Sequence, residues 1–390
     1  MKKIKVLRII NRFNIGGPTY NATFLTRFIG DKYETLLVGG MPEEGESDSL
    51  HILDNYGLKP ILIEEMRRKP SLISDRAAYK KIKEIIIEFK PDIVHTHASK
   101  AGALGRKAAF SCGVPIVIHT FHGHVFHSYF GKLKTLLYKN IERNLAKKST
   151  AIVAISEIQK QELAIEHKIC DSKKIRVVNL GFDLDQFHQK AIDCRKEVRM
   201  ELGLTDEIAI GIIGRLVPIK DHNFFLSVIE QVVQKTKRKF KVFIVGDGSE
   251  RETINIRVNK LNETYPELIK MCSWEKDIAR FNAGLDIICL TSKNEGTPVS
   301  LIEAQAANIP VISTDVGGVQ DILKDGETGV IVPRGDLNLY VNALVELINN
   351  EEKRKMMSQN GWNYVQEKFH YNTLVQNMDR LYSDLLKERE

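Results

Sequence analysis

Two carboxylates with seven residues between them, Glu295 and Glu303, sit in the stretch Thr291-Ser292-Lys293-Asn294-Glu295-Gly296-Thr297-Pro298-Val299-Ser300-Leu301-Ile302-Glu303. Thr297 is a good helix cap and Pro298 a good first helical residue, so a helix is expected to open here. Its free N–H groups and positive dipole end suit a phosphate. Glu303 falls inside that helix among Leu301, Ile302 and Ala304. A carboxylate there is costly unless partnered. It is either an ion-paired helix-edge residue or a receptor for sugar hydroxyls, which a carboxylate accepts two at a time. Arg215 and Lys220, after Gly214, bring two cations that together could hold a pyrophosphate.

A third loop, Asn14-Ile15-Gly16-Gly17-Pro18-Thr19, could lead main-chain N–H groups to a ligand oxygen, or simply turn the chain. A fourth is histidine-rich: His119, His122, His124 and His127, with His95 and His97 upstream. No acidic or thiolate companion stands beside them, so polar site lining is expected rather than metal ligation. Gly246-Asp247-Gly248 lacks the third glycine of a dinucleotide fingerprint, Arg251 standing in its place. Asp183-Leu184-Asp185 has two-acid spacing, but at a turn, where capping is the simpler role. There is no nucleophile elbow and no Walker loop.

These loops need strands to carry them. Short β-branched runs recur at Lys5–Ile10, Thr35–Val38, Ile93–His95, Ile116–His119, Ala151–Ile155 and Ile175–Val178. A second series follows at Ile208–Ile213, Lys241–Val245, Ile287–Leu290, Val311–Ser313 and Gly329–Val332. Continuous apolar runs alternating with helical patterns mark parallel strands buried on both faces, hence an α/β chain of two Rossmann-like, doubly wound domains. The polar stretch Leu184–Leu204 carries no strand signal and is read as the hinge. Substrate is then expected in an inter-domain cleft, outside the carboxyl ends of the strands.

Composition agrees. The 390 residues suffice for two to three domains, and 43% hydrophobic with 27% charged residues excludes disorder. The net charge of +7 is too diffuse for a nucleic-acid binder but suits phosphate-bearing substrates. Five scattered cysteines without CxxC spacing argue for reduced thiols rather than disulfides or structural zinc. No apolar run reaches the ~20 residues of a membrane span. The expected location is therefore cytoplasmic. Segment Gly131–Ser149 sets Leu133, Leu136, Leu137, Ile141 and Leu145 against a basic face. It reads as a helix covering the sheet or as one resting on anionic lipid at the inner face of the cell membrane.

In combination and in order, these residues resemble glycosyltransferase family 4, the retaining, nucleotide-sugar-dependent group with the two-Rossmann GT-B fold. Glu295 and Glu303, followed by Pro310 through Gly318 and by Asp325-Gly326-Glu327-Thr328-Gly329, carry the resemblance. Gly16-Gly17, Pro91 through His97, Ser156-Glu157, Asn179 through Asp183 and Gly214-Arg215-Leu216 with Lys220 support it. Phe121 through Phe126 further resembles bacterial enzymes of surface-polysaccharide synthesis. The resemblance implies an acceptor-binding N-terminal domain (1–188, with a returning helix at 369–390) and a nucleotide-sugar-binding domain (189–368). It also implies a UDP-sugar donor, a saccharide or lipid-linked saccharide acceptor, and no metal or other cofactor. Glu303 would hold the ribose hydroxyls and Glu295 the donor sugar. Arg215 and Lys220 would clamp the diphosphate, aided by the Gly17 backbone and the amides around Val299, Ser300 and Leu301, with Gly16, Gly296, Thr297 and Pro298 also in the donor-binding set. His122 would lie beside the donor sugar, and Cys272 beside the base. Asn308 stands where glycine is usual and Thr297 where an aromatic is frequent. A nucleotide-sugar epimerase and a non-catalytic sugar-binding module are the competing readings.

Overall fold

The structure is a computed structural model and describes residues 2–14, 17–42, 49–67, 69, 71–123 and 132–389. The chain forms two compact units, Met1–Phe182 with Phe369–Glu390, and Asp183–Lys368.

The first unit holds strands β1 (Ile4–Arg12), β2 (Tyr33–Gly40), β3 (Ile61–Leu62), β4 (Ile93–His97), β5 (Ile116–Phe121), β6 (Ala151–Ala154) and β7 (Ile175–Val177). They pair in parallel in the order β3-β2-β1-β4-β5-β6-β7. Alternation along β1 feeds two cores. Val6 packs with Phe24, Leu25, Leu374 and Met378, while Leu7 and Ile9 pack with Ala78, Ile82 and Ala108. The first of these cores includes the helix Tyr371–Lys387, so the end of the chain belongs to the first unit. The return is fixed where Phe182 N donates to Phe369 O (2.8 Å) and Tyr371 N to Phe182 O (3.0 Å). Burying Leu374, Met378, Leu381 and Leu385 is worth about 1.5–3 kcal/mol each as an upper bound.

The second unit holds β8 (Ile208–Ile213), β9 (Phe240–Val245), β10 (Ile269–Cys272), β11 (Ile287–Leu290), β12 (Val311–Thr314) and β13 (Gly329–Val332), parallel in the order β10-β9-β8-β11-β12-β13. Helices His222–Lys235 and Leu337–Asn349 cover it through Phe225, Leu226, Ile229, Tyr340, Val341 and Leu344. In each unit the order reverses beside the first strand, between β1 and β4 and between β8 and β11. Ligands of such sheets bind at that point.

Three features differ from the expectations. Strands β3 and β10 carry too few apolar residues to signal themselves. The stretch Leu184–Leu204 is helical over Asp185–Asp193 and Arg195–Glu201 and belongs to the second unit, the change of unit falling at Phe182/Asp183 rather than at residue 188. Its charges are structural. Arg195 pairs with Asp286 Oδ1 and Arg199 Nη1 with Asp286 Oδ2 at 2.8 Å, and Asp286 Oδ2 also accepts from Ala209 N. The helix after Glu295 spans Val299–Ala306 with Pro298, not Thr297, at its cap position and no capping side chain. Its first amides are left without a side-chain acceptor.

Candidate active site

In the second unit, the loops leaving β8 and β11 are laced together. Lys293 N donates to Ile219 O at 2.7 Å, and Thr291 Oγ1 lies 3.1 Å from Lys220 O and 3.2 Å from Asp221 O. This brings two expected site residues into contact. Lys220 Nζ donates to Glu295 Oε1 at 2.5 Å, and Ser292 Oγ donates to the same oxygen at 2.5 Å. The reading of Lys220 as a phosphate ligand and Glu295 as a separate sugar ligand did not foresee this pairing. Arg215 is exposed and has no partner among the described residues. The Lys220 side chain passes over Gly214, next to Arg215: a Cβ on Gly214 would lie 3.6 Å from Lys220 Cε.

Backbone turns press these loops into place. Gly246, at φ 144°, backs onto the β8 loop so closely that a Cβ would lie 1.9 Å from Gly214 O. The Gly246-Asp247-Gly248 segment is thus a support, with Leu216 N donating to Asp247 O at 2.8 Å. Gly317, at φ 52°, stands likewise against Glu295, where a Cβ would lie 1.8 Å from Glu295 O. Gly318 N donates to that same carbonyl at 3.3 Å. Asn308 takes the left-handed conformation at φ 55°, as an asparagine can.

Glu303 lies half-buried on the helix Val299–Ala306. Burial alone pushes its carboxyl up to about 8, with no hydrogen bond or cation among the described residues to offset it. The surface ion pair considered from sequence is absent there. Cys272 ends β10 half-buried, its thiol also raised by burial, beside a cleft of about 310 Å³ lined by Met271, Ser273, Leu202 and Phe281.

The first unit gathers histidines at the ends of β4 and β5. His95 lies between Tyr382 Oη (2.6 Å) and Thr120 Oγ1 (2.7 Å). The His97 ring lies tilted against His95 with centroids 4.3 Å apart, and its Nδ1 is hydrogen-bonded to His122 Nε2 at 2.9 Å. His119 Nδ1 meets Thr96 Oγ1 at 2.9 Å. Burial drives His95, His97 and His119 well below the ordinary imidazole range and His122 down to about 3, so all four stay neutral. His122 Nδ1 remains buried and unpartnered among the described residues. Among those residues no group of three or more His, Cys, Asp or Glu is placed to hold a metal ion.

Gly17 opens the helix Gly17–Phe28 with room for a methyl, so packing does not demand the glycine. Gly16, His124 and His127 lie outside the described residues. On the helix Lys132–Lys148, Leu145 is buried while Leu133, Leu136 and Leu137 are exposed at 86%, 52% and 58%. Among the described residues no helix is long and apolar enough to cross a membrane, and the five cysteines are unpaired.

Sequence reasoning missed Ser292 as a partner of Glu295 and Tyr382 as a partner of His95. No local signal marks Tyr382, which lies 287 residues away from its histidine. Ser292 stood in view, three residues before Glu295.

Comparison with known proteins bears on these loops. Residues 16–186 match the family described as Glycosyltransferase Family 4, and residues 195–364 that described as Glycosyl transferases group 1. The chain is 30% identical over 331 residues to the UDP-Gal:alpha-D-GlcNAc-diphosphoundecaprenol alpha-1,3-galactosyltransferase of Escherichia coli, covering 84% of each. It is also 30% identical over 332 residues to the capsular polysaccharide biosynthesis glycosyltransferase CapM of Staphylococcus aureus, covering 83% of this chain and 85% of that one. Among solved structures, Anabaena Alr3699/HepE in complex with UDP shares the fold, with TM-score 0.81 and 17% identity over 98% of this chain and 100% of that one. Glu295 before and Glu303 within the helix Val299–Ala306, Arg215 and Lys220 on the adjoining loop, and relatives 30% identical over more than four-fifths of each chain lead to one conclusion: the chain is a nucleotide-sugar glycosyltransferase and belongs to glycosyltransferase family 4, with its two Rossmann-like domains.

Proposed function

We propose that the protein transfers a sugar, with retention of anomeric configuration, from a UDP-sugar to a saccharide or lipid-linked saccharide in bacterial surface-polysaccharide synthesis. The observation that carries this reading is the charge arrangement at the β8/β11 reversal. Exposed Arg215, Lys220 and the uncapped amides of Val299–Ala306 offer cationic and dipolar partners to a diphosphate. The Glu303 carboxyl, without a partner among the described residues, suits the ribose hydroxyls. UDP in the HepE structure and the diphosphoundecaprenol substrate of the E. coli relative support the donor and acceptor classes.

As the anomeric carbon parts from the diphosphate, negative charge grows on the leaving oxygens. Fixed cations stabilise that state more than the ground state. Arg215, Lys220 and the helix amides then neutralise the leaving group without a metal ion. Glu295 takes a donor-sugar hydroxyl. In the first unit, neutral His122 offers Nδ1 as a hydrogen-bonding group for a sugar hydroxyl rather than as a proton source. The exposed Leu133, Leu136 and Leu137 beside Lys134 and Lys139 give that unit a surface suited to an anionic bilayer, where a lipid-linked acceptor would be met.

A thermal-shift panel of UDP-, GDP- and ADP-sugars, followed by UDP release with and without acceptor saccharides, tests the proposal. A rise in Tm with UDP-sugars and acceptor-dependent UDP release are expected. Interconversion of UDP-sugars without an acceptor would mean an epimerase instead.

A further inference from the structure

Glu295 is held more tightly than a residue that only meets substrate requires. Its carbonyl is gripped by Gly318 N, and Gly317 closes in behind it. One carboxylate oxygen, Oε1, receives both the Lys220 ammonium and the Ser292 hydroxyl at 2.5 Å. The other, Oε2, has no hydrogen-bond partner among the described residues. Ser292 is fully buried, and its own carbonyl accepts from Thr314 Oγ1 at 2.8 Å, which ties it to the end of β12. A carboxylate pinned by one cation alone can still rotate about its last bond. Two donors from different directions on one oxygen stop that rotation and fix where the second oxygen points.

We infer that Ser292 is a positioning residue: its hydroxyl locks the Glu295 carboxylate so that Oε2 alone is presented to a donor-sugar hydroxyl while Oε1 steadies Lys220. This rests on the proposed reading of Glu295 as the donor-sugar carboxylate. It assigns the sugar's orientation to a buried serine that does not touch the ligand. The consequence is a split. Loss of the Ser292 hydroxyl leaves Lys220 paired with Glu295, so the diphosphate loses little. The sugar meets a carboxylate that is no longer preorganised.

Isothermal titration of the full chain with UDP and with UDP-glucose, UDP-galactose and UDP-N-acetylglucosamine reads this split. For Ser292→Ala the expected result is an about tenfold weaker Kd for the best-bound UDP-sugar, the scale of one hydrogen bond to a charged group, with the UDP Kd changed less than about threefold. In a Glu295→Gln background the same substitution is expected to cost less than about twofold, because the residue it acts through is already altered. A purely structural serine would cost the same in both backgrounds. Should Ser292→Ala fold poorly, Ser292→Cys, which keeps a weaker donor, is expected to show the same split at about threefold. Equal weakening of UDP and UDP-sugar, or wild-type affinity for both, overturns the assignment of Ser292 while leaving the UDP-sugar reading in place. A wild-type chain that binds none of these compounds overturns both.

Discussion

The two units share a parallel, doubly wound sheet with its reversal beside the first strand, yet the residues they place near that reversal are electrostatic opposites. In the second unit, Arg215, Lys220 and Glu295 bring full charges, the last two already matched to one another, while burial holds the Glu303 carboxyl toward its protonated form. In the first, His95, His97, His119 and His122 are all kept neutral by burial and spend ring nitrogens on hydroxyls and on each other. A shared architecture therefore dictates where a site can form, and the loops dictate its chemistry. Under the proposed function, the first kind of loop would stabilise charge that develops and the second would recognise groups that remain neutral.

The sharpest way to break this contrast is to remove a cation. Lys220→Ala is expected to lower turnover about 10²–10³-fold, and Arg215→Ala at least about tenfold, the range for losing one preorganised contact to developing charge. Steady-state kinetics near wild type for both would remove the electrostatic half of the comparison. Next in size is His122→Ala, expected to cost about tenfold to a hundredfold for one lost hydrogen bond to a reacting group. Because His122 is neutral above about pH 3, its removal is expected to leave the shape of the pH–rate profile between about pH 5 and 9 unchanged. If the variant abolished an acidic or basic limb, His122 would be titrating and the neutral half would be wrong.

The smallest effect is on stability. The Glu303 carboxyl titrates at about 8 in the folded chain against its ordinary 4.5, so between those values the folded state holds a proton that the unfolded state has lost. Its contribution is fully present below about 4.5, declines through that window, and is gone above about 8. Glu303→Gln is therefore expected to match wild type in Tm at about pH 4.5 and to exceed it by about 2–4 °C at pH 9. The same variant is expected to bind UDP more weakly. A site carboxylate that costs stability and returns affinity is a common trade. Identical melting curves at pH 9 would deny that burial shifts this group.

Much of the fold was legible because parallel strands announce themselves. Ile208–Ile213 and Ile287–Leu290 are unbroken apolar runs, and both emerged with the bounds read from sequence. Ile61–Leu62 is two exposed residues, and Ile269–Cys272 is interrupted by an exposed Lys270, so neither could be seen. The helices at Asp185–Asp193 and Arg195–Glu201 were hidden because their charges resemble a linker until Asp277, the partner of Lys190, and Asp286, the partner of Arg195 and Arg199, are known about 90 residues on. The site follows the same rule. Residue type and order singled out Glu295, Glu303, Arg215 and Lys220 one by one. The pairing of Lys220 with Glu295 across 75 residues, and of His95 with Tyr382, is a product of folding that no local pattern encodes. Thr297 and Pro298 erred by one position because cap preference is a propensity, and Pro298 settled with ψ 93°, just outside the helix.

The central claim is that a nucleoside diphosphate binds at the β8/β11 reversal of the second unit, its charge met by protein groups. A crystal of the chain soaked with UDP tests this most directly. The diphosphate is expected against Arg215, Lys220 and the first amides of Val299–Ala306, with the ribose on Glu303; a nucleotide bound elsewhere on the chain, with these residues untouched, would contradict it.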